Sequence, residues 1–365
     1  MSKNLKALVI TLACVCAGSL VICGGFFVYQ IMPDFFGERS ELRYDFEQAQ
    51  QINAGDGLEI DASSIDVKIV RTTGTMLKVR FEGYRSSTTQ DDFPRIEVWR
   101  ENGRVYVKEM YAERKKYVIN IGPFTSNTLL GTLTVEVPDI VLGDSSVTLF
   151  SGKIDVANLN CAAAELSTSS GRIAANDIDA SNFIATTFSG VVSLGDIRAE
   201  NGIDIDSSSG AIILDGASAR ALTVNTFSGA VKLSDMLLIG NAGIDTSSGS
   251  IDIQGITANK ITVTTFSGSV TTNDATLESM DYSTSSGRVQ SQLNKGANIT
   301  INTFSGSVEV IFPADTGFYY NLDSFSGSRK VDFSSVGGDE SGVVGDGSYN
   351  IDISTSSGGI AIKPY

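Results

Sequence analysis

The chain has 365 residues, of which 19% are charged, 37 are Gly and only six are Pro, and its formal net charge is −15. An apolar share of 42% can bury a large core, which excludes global disorder, and the negative charge excludes a general nucleic-acid binder. No His occurs, so a histidine triad, a histidine general base, a His-ligated zinc site and a histidine pH switch are excluded as well.

Residues 7–32 form a run of 26 uncharged positions, long enough to cross a bilayer. Lys3 and Lys6 precede it, so the positive-inside rule predicts a cytoplasmic N-terminus, a single transmembrane helix and an extracytoplasmic remainder. Two other readings compete with this uncleaved anchor. Val15-Cys-Ala17 resembles a signal-peptide cleavage site, and Cys23, with Leu20 three residues before it, resembles a lipid-attachment site. Length favours the anchor. Because Cys14, Cys16 and Cys23 all lie in this run, Cys161 is the one thiol elsewhere; it is expected to be a buried small hydrophobe.

Residues 34–56 read as a juxtamembrane stalk or cap, with 41–54 a candidate short amphipathic helix. Residues 57–141 read as irregular β coils, with strand-like Leu77–Phe81, Ile96–Arg100, Val105–Val107 and Leu133–Val137. Leu58 and Ile60 match the repeat described next, with Ile65 in the place of its glycine.

From 142 to the C-terminus a motif ending in Ser-Gly recurs, its glycines being Gly152, Gly171, Gly190, Gly210, Gly229, Gly249, Gly268, Gly287, Gly306, Gly327 and Gly358. The first ten are 19 to 21 residues apart. Counting from each glycine as zero, position −5 is always apolar or aromatic, position −3 is Thr or Ser in every unit but the first, and position +2 is Ile or Val except at Arg329. Period-two spacing on both sides of the glycine predicts two strands per unit. The fold class expected is therefore all-β: a parallel β-solenoid of about 19–20 residues per coil after the N-terminal helix. Each glycine is expected to turn a structural corner at positive φ, and the hydroxyls at −3 and −1 to form ladders inside the core. A Gly-rich insertion at about 332–348 reads as an extruded loop.

Position −2 alternates. Phe150, Phe188, Phe227, Phe266 and Phe304 take turns with Ser169, Ser208, Ser247 and Ser285, and the series ends with Phe325 and Ser356. Packing of each ring into the corner is the expectation, because a row of exposed Phe invites aggregation. The other reading makes Phe150, Phe188, Phe227, Phe266 and Phe304 an outward binding strip for a glycan, a peptide or a protein partner. Residues 117–365 carry 11 basic and 26 acidic side chains, against 14 and 16 in residues 34–116, so the regular coils hold nearly all the net charge. A solvated acidic face accounts for that.

No catalytic, cofactor or metal site is expected. Asp177 with Asp179, Asp204 with Asp206 and Asp245 with Asp252 lack a clustered base or nucleophile, and the Gly-Gly-x-Gly-x-Asp calcium repeat does not occur.

The repeated Thr/Ser-x-Ser-Gly-x-apolar unit, together with the strand Leu133–Val137 and Pro138, resembles the bacterial putative-adhesin family of β-strand-repeat proteins, a domain of unknown function related to extracytoplasmic domains of envelope-stress proteins. The resemblance runs from about Gly57 to the C-terminus. It implies a bacterial cell-envelope protein: a non-enzymatic, membrane-anchored, adhesin-like binding or structural module, with the lipid bilayer and an envelope glycan or protein as partners. Envelope-stress sensing through partner membrane proteins is the alternative it leaves open.

Overall fold

The computed structural model describes residues 40–87, 94–110 and 128–365. Arg43–Tyr84, Arg95–Met110 and Leu129–Tyr365 make one compact unit; the other, Met1–Leu42, Arg85–Pro94 and Tyr111–Thr128, falls almost wholly outside the described residues. The expected membrane helix over 7–32 lies outside them too. Among the described residues no helix is long and apolar enough to cross a membrane, and every element is a β-strand.

The regular coils stack in parallel. Ile173–Thr187 lies between Ile154–Thr168 and Val192–Ser207, with Ile173 opposite Ile154 on one side and Val192 on the other. Equivalent residues of successive coils therefore meet at strand spacing, about 4.8 Å. Apolar side chains thus form columns, and their burial closes one continuous core from Ile52 to Ile362.

Each coil has three faces, not the two expected. In the Gly210 coil the inward residues are Gly210, Ile212, Leu214, Ala217, Ala219, Leu222, Val224 and Thr226. Period-two alternation slips phase after Leu214, after Ala219 and after Thr226, and each slip is a bend that keeps the next stretch facing the core. At the first of these bends, six residues past the glycine, Asn158, Asp177, Asp196, Asp235 and Asp274 have φ of 50–58° and Gly216 and Gly255 have φ of 74° and 70°. Asn and Asp tolerate this left-handed conformation better than other non-glycine side chains, so the left-handed corner is written at +6, in Asn, Asp and Gly, and not at the Ser-Gly. Twenty-residue coils place their extra residue at the second bend, where the register shifts between Ala199 and Gly202.

None of the Ser-Gly glycines has a positive φ, which corrects the reason expected for them. Their requirement is steric. A Cβ on Gly229 would strike the carbonyl oxygen of Gly210, one on Gly210 that of Gly190, and so on through the column. At the same corner the Thr or Ser at −3 is buried, and its oxygen accepts the glycine N–H three residues on, as in Gly190 to Thr187 at 3.0 Å and Gly306 to Thr303 at 3.0 Å. Thr168 and Thr187 also donate to the glycine carbonyl of the preceding coil, at 3.3 and 3.4 Å. The hydroxyls at −1 form no such interior ladder. Ser209 and Ser286 are exposed and reach outward to the carbonyls of Phe188 and Phe266.

Chain order and stacking order part company at both ends. Gly57–Ala62 pairs with Arg104–Met110 on one side and Ser145–Leu149 on the other, so the earliest coil is enclosed by later segments. Likewise Tyr349–Thr355 sits between Asn298–Thr303 and Phe318–Ser324. The last coil in sequence is the penultimate coil in space. Glu309 ties it in, accepting from Lys363 of the inserted coil at 2.5 Å and from Arg288 of the preceding one at 3.0 Å.

Three further expectations are corrected. Residues 41–54 hold no helix: Ser40–Gln50 is a strand, with Tyr44 and Phe46 packed on the core while Asp45 and Glu47 face solvent, a period-two pattern already legible in Tyr-Asp-Phe-Glu. The stretch 57–141 is not all coil, since Arg95–Glu101 and Arg104–Met110 form an antiparallel hairpin. The Gly-rich insertion is also ordered. Ser335–Gly337 and Ser341–Val344 pair antiparallel, the latter also along Phe318–Ser324, and Phe333 meets Phe318 edge-on at 5.2 Å. Arg329, the lone break at +2, lies in this terminal coil, where no further coil covers the column and its guanidinium bonds the Ser324 carbonyl at 2.6 Å.

Two stability tests follow from the corner and from Glu309. Gly229→Ala should cost at least about 3 kcal/mol because the clash is with backbone, whereas Gly243→Ala, with open space around its Cβ, should be neutral or stabilising by up to about 1 kcal/mol; urea unfolding of the full chain measures both. The hydrogen bond from Lys363, opposed by desolvation and joined by Arg288, holds the Glu309 carboxyl below its usual range. A depressed folded pKa contributes stability above the unfolded value and loses it as pH falls through the folded one. Glu309→Gln should therefore weaken the protein at pH 7 and shrink the stability lost between pH 5 and pH 2, read from urea midpoints across that range.

Candidate functional site

The corner that fixes the glycine and the hydroxyl leaves the residue between them no room inside. Position −2 faces outward in every coil. Phe150, Phe188, Phe227, Phe266 and Phe304 are 66–68% exposed and Phe325 is 93% exposed, which overturns the expected corner packing. Large buried rings belong to other columns, Phe183 and Tyr282 among them. Parity explains the difference: −3 and 0 both point inward, so the two residues between them must lie outside the bend.

Stacking order then changes what the row is. In sequence the alternation fails at its end, where Phe304 is followed by Phe325. In space the inserted coil restores it: Ser356 N–H donates to the Phe304 carbonyl and Ser326 N–H to the Ser356 carbonyl, placing Ser356 between the two rings. At the other end Phe150 N–H donates to the Ser63 carbonyl, which adds a serine before the first ring. The strip therefore runs Ser63, Phe150, Ser169, Phe188 and onward to Phe304, Ser356 and Phe325, with six rings on alternate coils, about 10 Å apart.

Beside the strip, position −4 supplies a second outward column of short polar side chains: Thr186, Asp206, Asn225, Asp245 and Thr264. Asn225 Nδ2 donates to Asp206 Oδ1 at 2.9 Å. From Phe188 past Phe227 to Thr264 the two columns border an open groove of about 590 Å³. This is a surface that can bind an extended ligand through ring faces and a row of hydrogen-bonding groups.

The other candidate residues are placed as follows. Asp177 and Asp179 both approach Arg198, at 2.6 and 3.7 Å. Asp204 and Asp206 share an outward face, and burial, with Asp206 adding to it, raises the Asp204 pKa. Asp245 and Asp252 lie on opposite sides of the Gly249 corner and are not brought together. Among the described residues no group of three acidic or thiol side chains is arranged to hold a metal. Cys161 points into the core, where burial, with Asp144 and Asp179 adding to it, pushes its thiol up to about 12; that leaves no thiolate for chemistry at neutral pH.

Exposure of the rings sets their energetic role. Phe227→Ala should cost less than about 1 kcal/mol because little surface is uncovered, while Phe183→Ala, buried in the core, should cost about 3 to 5 kcal/mol. Thermal and urea unfolding of the two variants of the full chain make the comparison.

The Toastrack DUF4097 family matches residues 56–254 and 236–363. No curated protein matches the chain. Similar solved structures include two of low identity and low superposition. A putative cell adhesion protein from Clostridium sporogenes is 9% identical, with a TM-score of 0.22, over 89% of this chain and 100% of its own. A putative adhesin from Bacteroides fragilis is 11% identical, with a TM-score of 0.26, over 90% of this chain and 99% of its own. The two family matches overlap and together span residues 56–363, the stacked coils and their terminal hairpin, and the chain belongs to the Toastrack DUF4097 family.

Proposed function

We propose that this chain is a non-enzymatic, adhesin-like binding module, held at the bacterial cell membrane by its N-terminal segment with the solenoid on the extracytoplasmic side, and that it grips its ligand along the Phe/Ser strip. The observation that supports this reading is the exposure of six Phe rings in one line. Contiguous exposed apolar surface is costly for solubility and marks interaction sites. Fold does not require these rings, since Ser occupies the same outward position in every alternate coil. A binding role accounts for what stability does not. The run 7–32, with Lys3 and Lys6 before it, supports the anchor and its orientation.

The test compares the full chain, reconstituted in lipid vesicles, with a Phe188→Ser, Phe227→Ser, Phe266→Ser variant for retention on isolated cell-envelope material. The variant should unfold at the same temperature and retain at least about tenfold less. Equal retention would remove the strip from the function and favour a role through partner membrane proteins instead.

A further inference from the structure

The period of the strip and the chemistry beside it narrow the ligand class. Rings recur every second coil, about 10 Å apart, and the Ser between them leaves a gap at each intervening coil. An extended peptide repeats its side-chain orientation every two residues, roughly 7 Å, so successive side chains of a strand laid along the strip would drift off successive rings. In an extended β-1,4-linked polysaccharide, alternate sugars are turned over, and its repeat is a disaccharide close to two coils long. Such a chain offers the same apolar pyranose face to each ring in turn. The alternation of Phe with Ser has the period of that ligand, not the period of the coils.

Position −4 supplies what sugar stacking lacks. Thr186, Asp206, Asn225, Asp245 and Thr264 set a hydroxyl, a carboxylate or an amide beside each coil of the central strip, all able to bond sugar hydroxyl, acetamido or amino groups. Asp206 and Asp245 line the groove that runs past Phe188 and Phe227, in a chain of net charge −15, so a polyanionic glycan is repelled and a neutral or amino-bearing one is accepted.

We propose that the strip binds a neutral or amino-sugar β-1,4-linked polysaccharide laid along the stack, one disaccharide for each pair of coils. The assignment rests on the strip being the binding surface, and the experiment separates the two claims. The full chain in mild detergent is titrated by calorimetry with β-1,4-linked N-acetylglucosamine and glucose oligomers of two, four and six sugars, with glucosamine hexamer, and with α-1,4-linked glucose hexamer and polygalacturonate as controls. Affinity should climb by about tenfold for each added disaccharide on the β-1,4 series, controls should not bind, and Phe227→Ser should forfeit about one such step at an unchanged melting temperature. Affinity that is indifferent to linkage, or to Phe227→Ser, overturns the assignment. If no oligomer binds while the triple Phe variant still loses envelope retention, the glycan class is wrong and the strip stands; if retention is unaffected as well, both claims fall. Self-association of the chain that the triple variant abolishes, in place of glycan binding, assigns the strip to a second copy and overturns the proposal.

Discussion

The structure depends on the close approach of successive backbones at the Ser-Gly corner. There the glycine of one coil sits against the glycine carbonyl of the coil before it, too near for any Cβ. Three residues earlier a buried hydroxyl accepts the glycine N–H, a bond that recurs in the Gly171, Gly229, Gly249, Gly268 and Gly287 coils at 3.0–3.1 Å. Satisfying that N–H inside the core with a side chain lets the chain bend without stranding a polar group. One contact thus fixes register, and register fixes everything else. Apolar columns line up behind it, and the residue at −2 is forced outward in front of it.

Exposure of the Phe rings is therefore a product of the corner, while their identity is not. The same outward position accepts Ser in half of the coils with no change in the corner hydrogen bonds, as the Gly171 and Gly190 coils illustrate. That separation between what the fold requires and what the surface displays sets −2 apart from the carboxylates. Asp177 and Asp179 are occupied by Arg198, and Asp245 and Asp252 are divided by a bend. Each is explained by local packing or charge balance.

Ends are the weak points of a stacked sheet, because the terminal coil exposes unpaired backbone and one face of the core. Here each end encloses an early or late segment between others. The inserted C-terminal coil gains strand pairing on both faces and ion pairs through Glu309, while the terminal coil outside it has its Phe318–Ser324 strand covered by the Ser335–Gly337 and Ser341–Val344 hairpin and, on the face the hairpin leaves open, carries Arg329 where its neighbours carry Ile or Val. A charged residue at an uncovered column end disfavours addition of another chain.

Sequence alone determined the repeat, its length and the parallel stacking, since Ile and Val at fixed offsets from Gly have no other economical burial. It also displayed the Phe/Ser alternation and pointed to the burial of Cys161. It left undecided which way −2 faces, because parity on either side of a bend depends on where the bend falls, and three phase slips per coil cannot be counted from two clear apolar runs. Positive φ falls on Asn158 and Asp177 and not on the Ser-Gly glycines, whose steric exclusion by a neighbouring coil leaves no mark in a single coil's sequence. Tertiary structure alone decided the order of the last coils. By threading Ser356 between Phe304 and Phe325, it turned an alternation that breaks in the chain into one that is unbroken in space, since strand pairing follows shape and hydrogen bonding, not position along the chain.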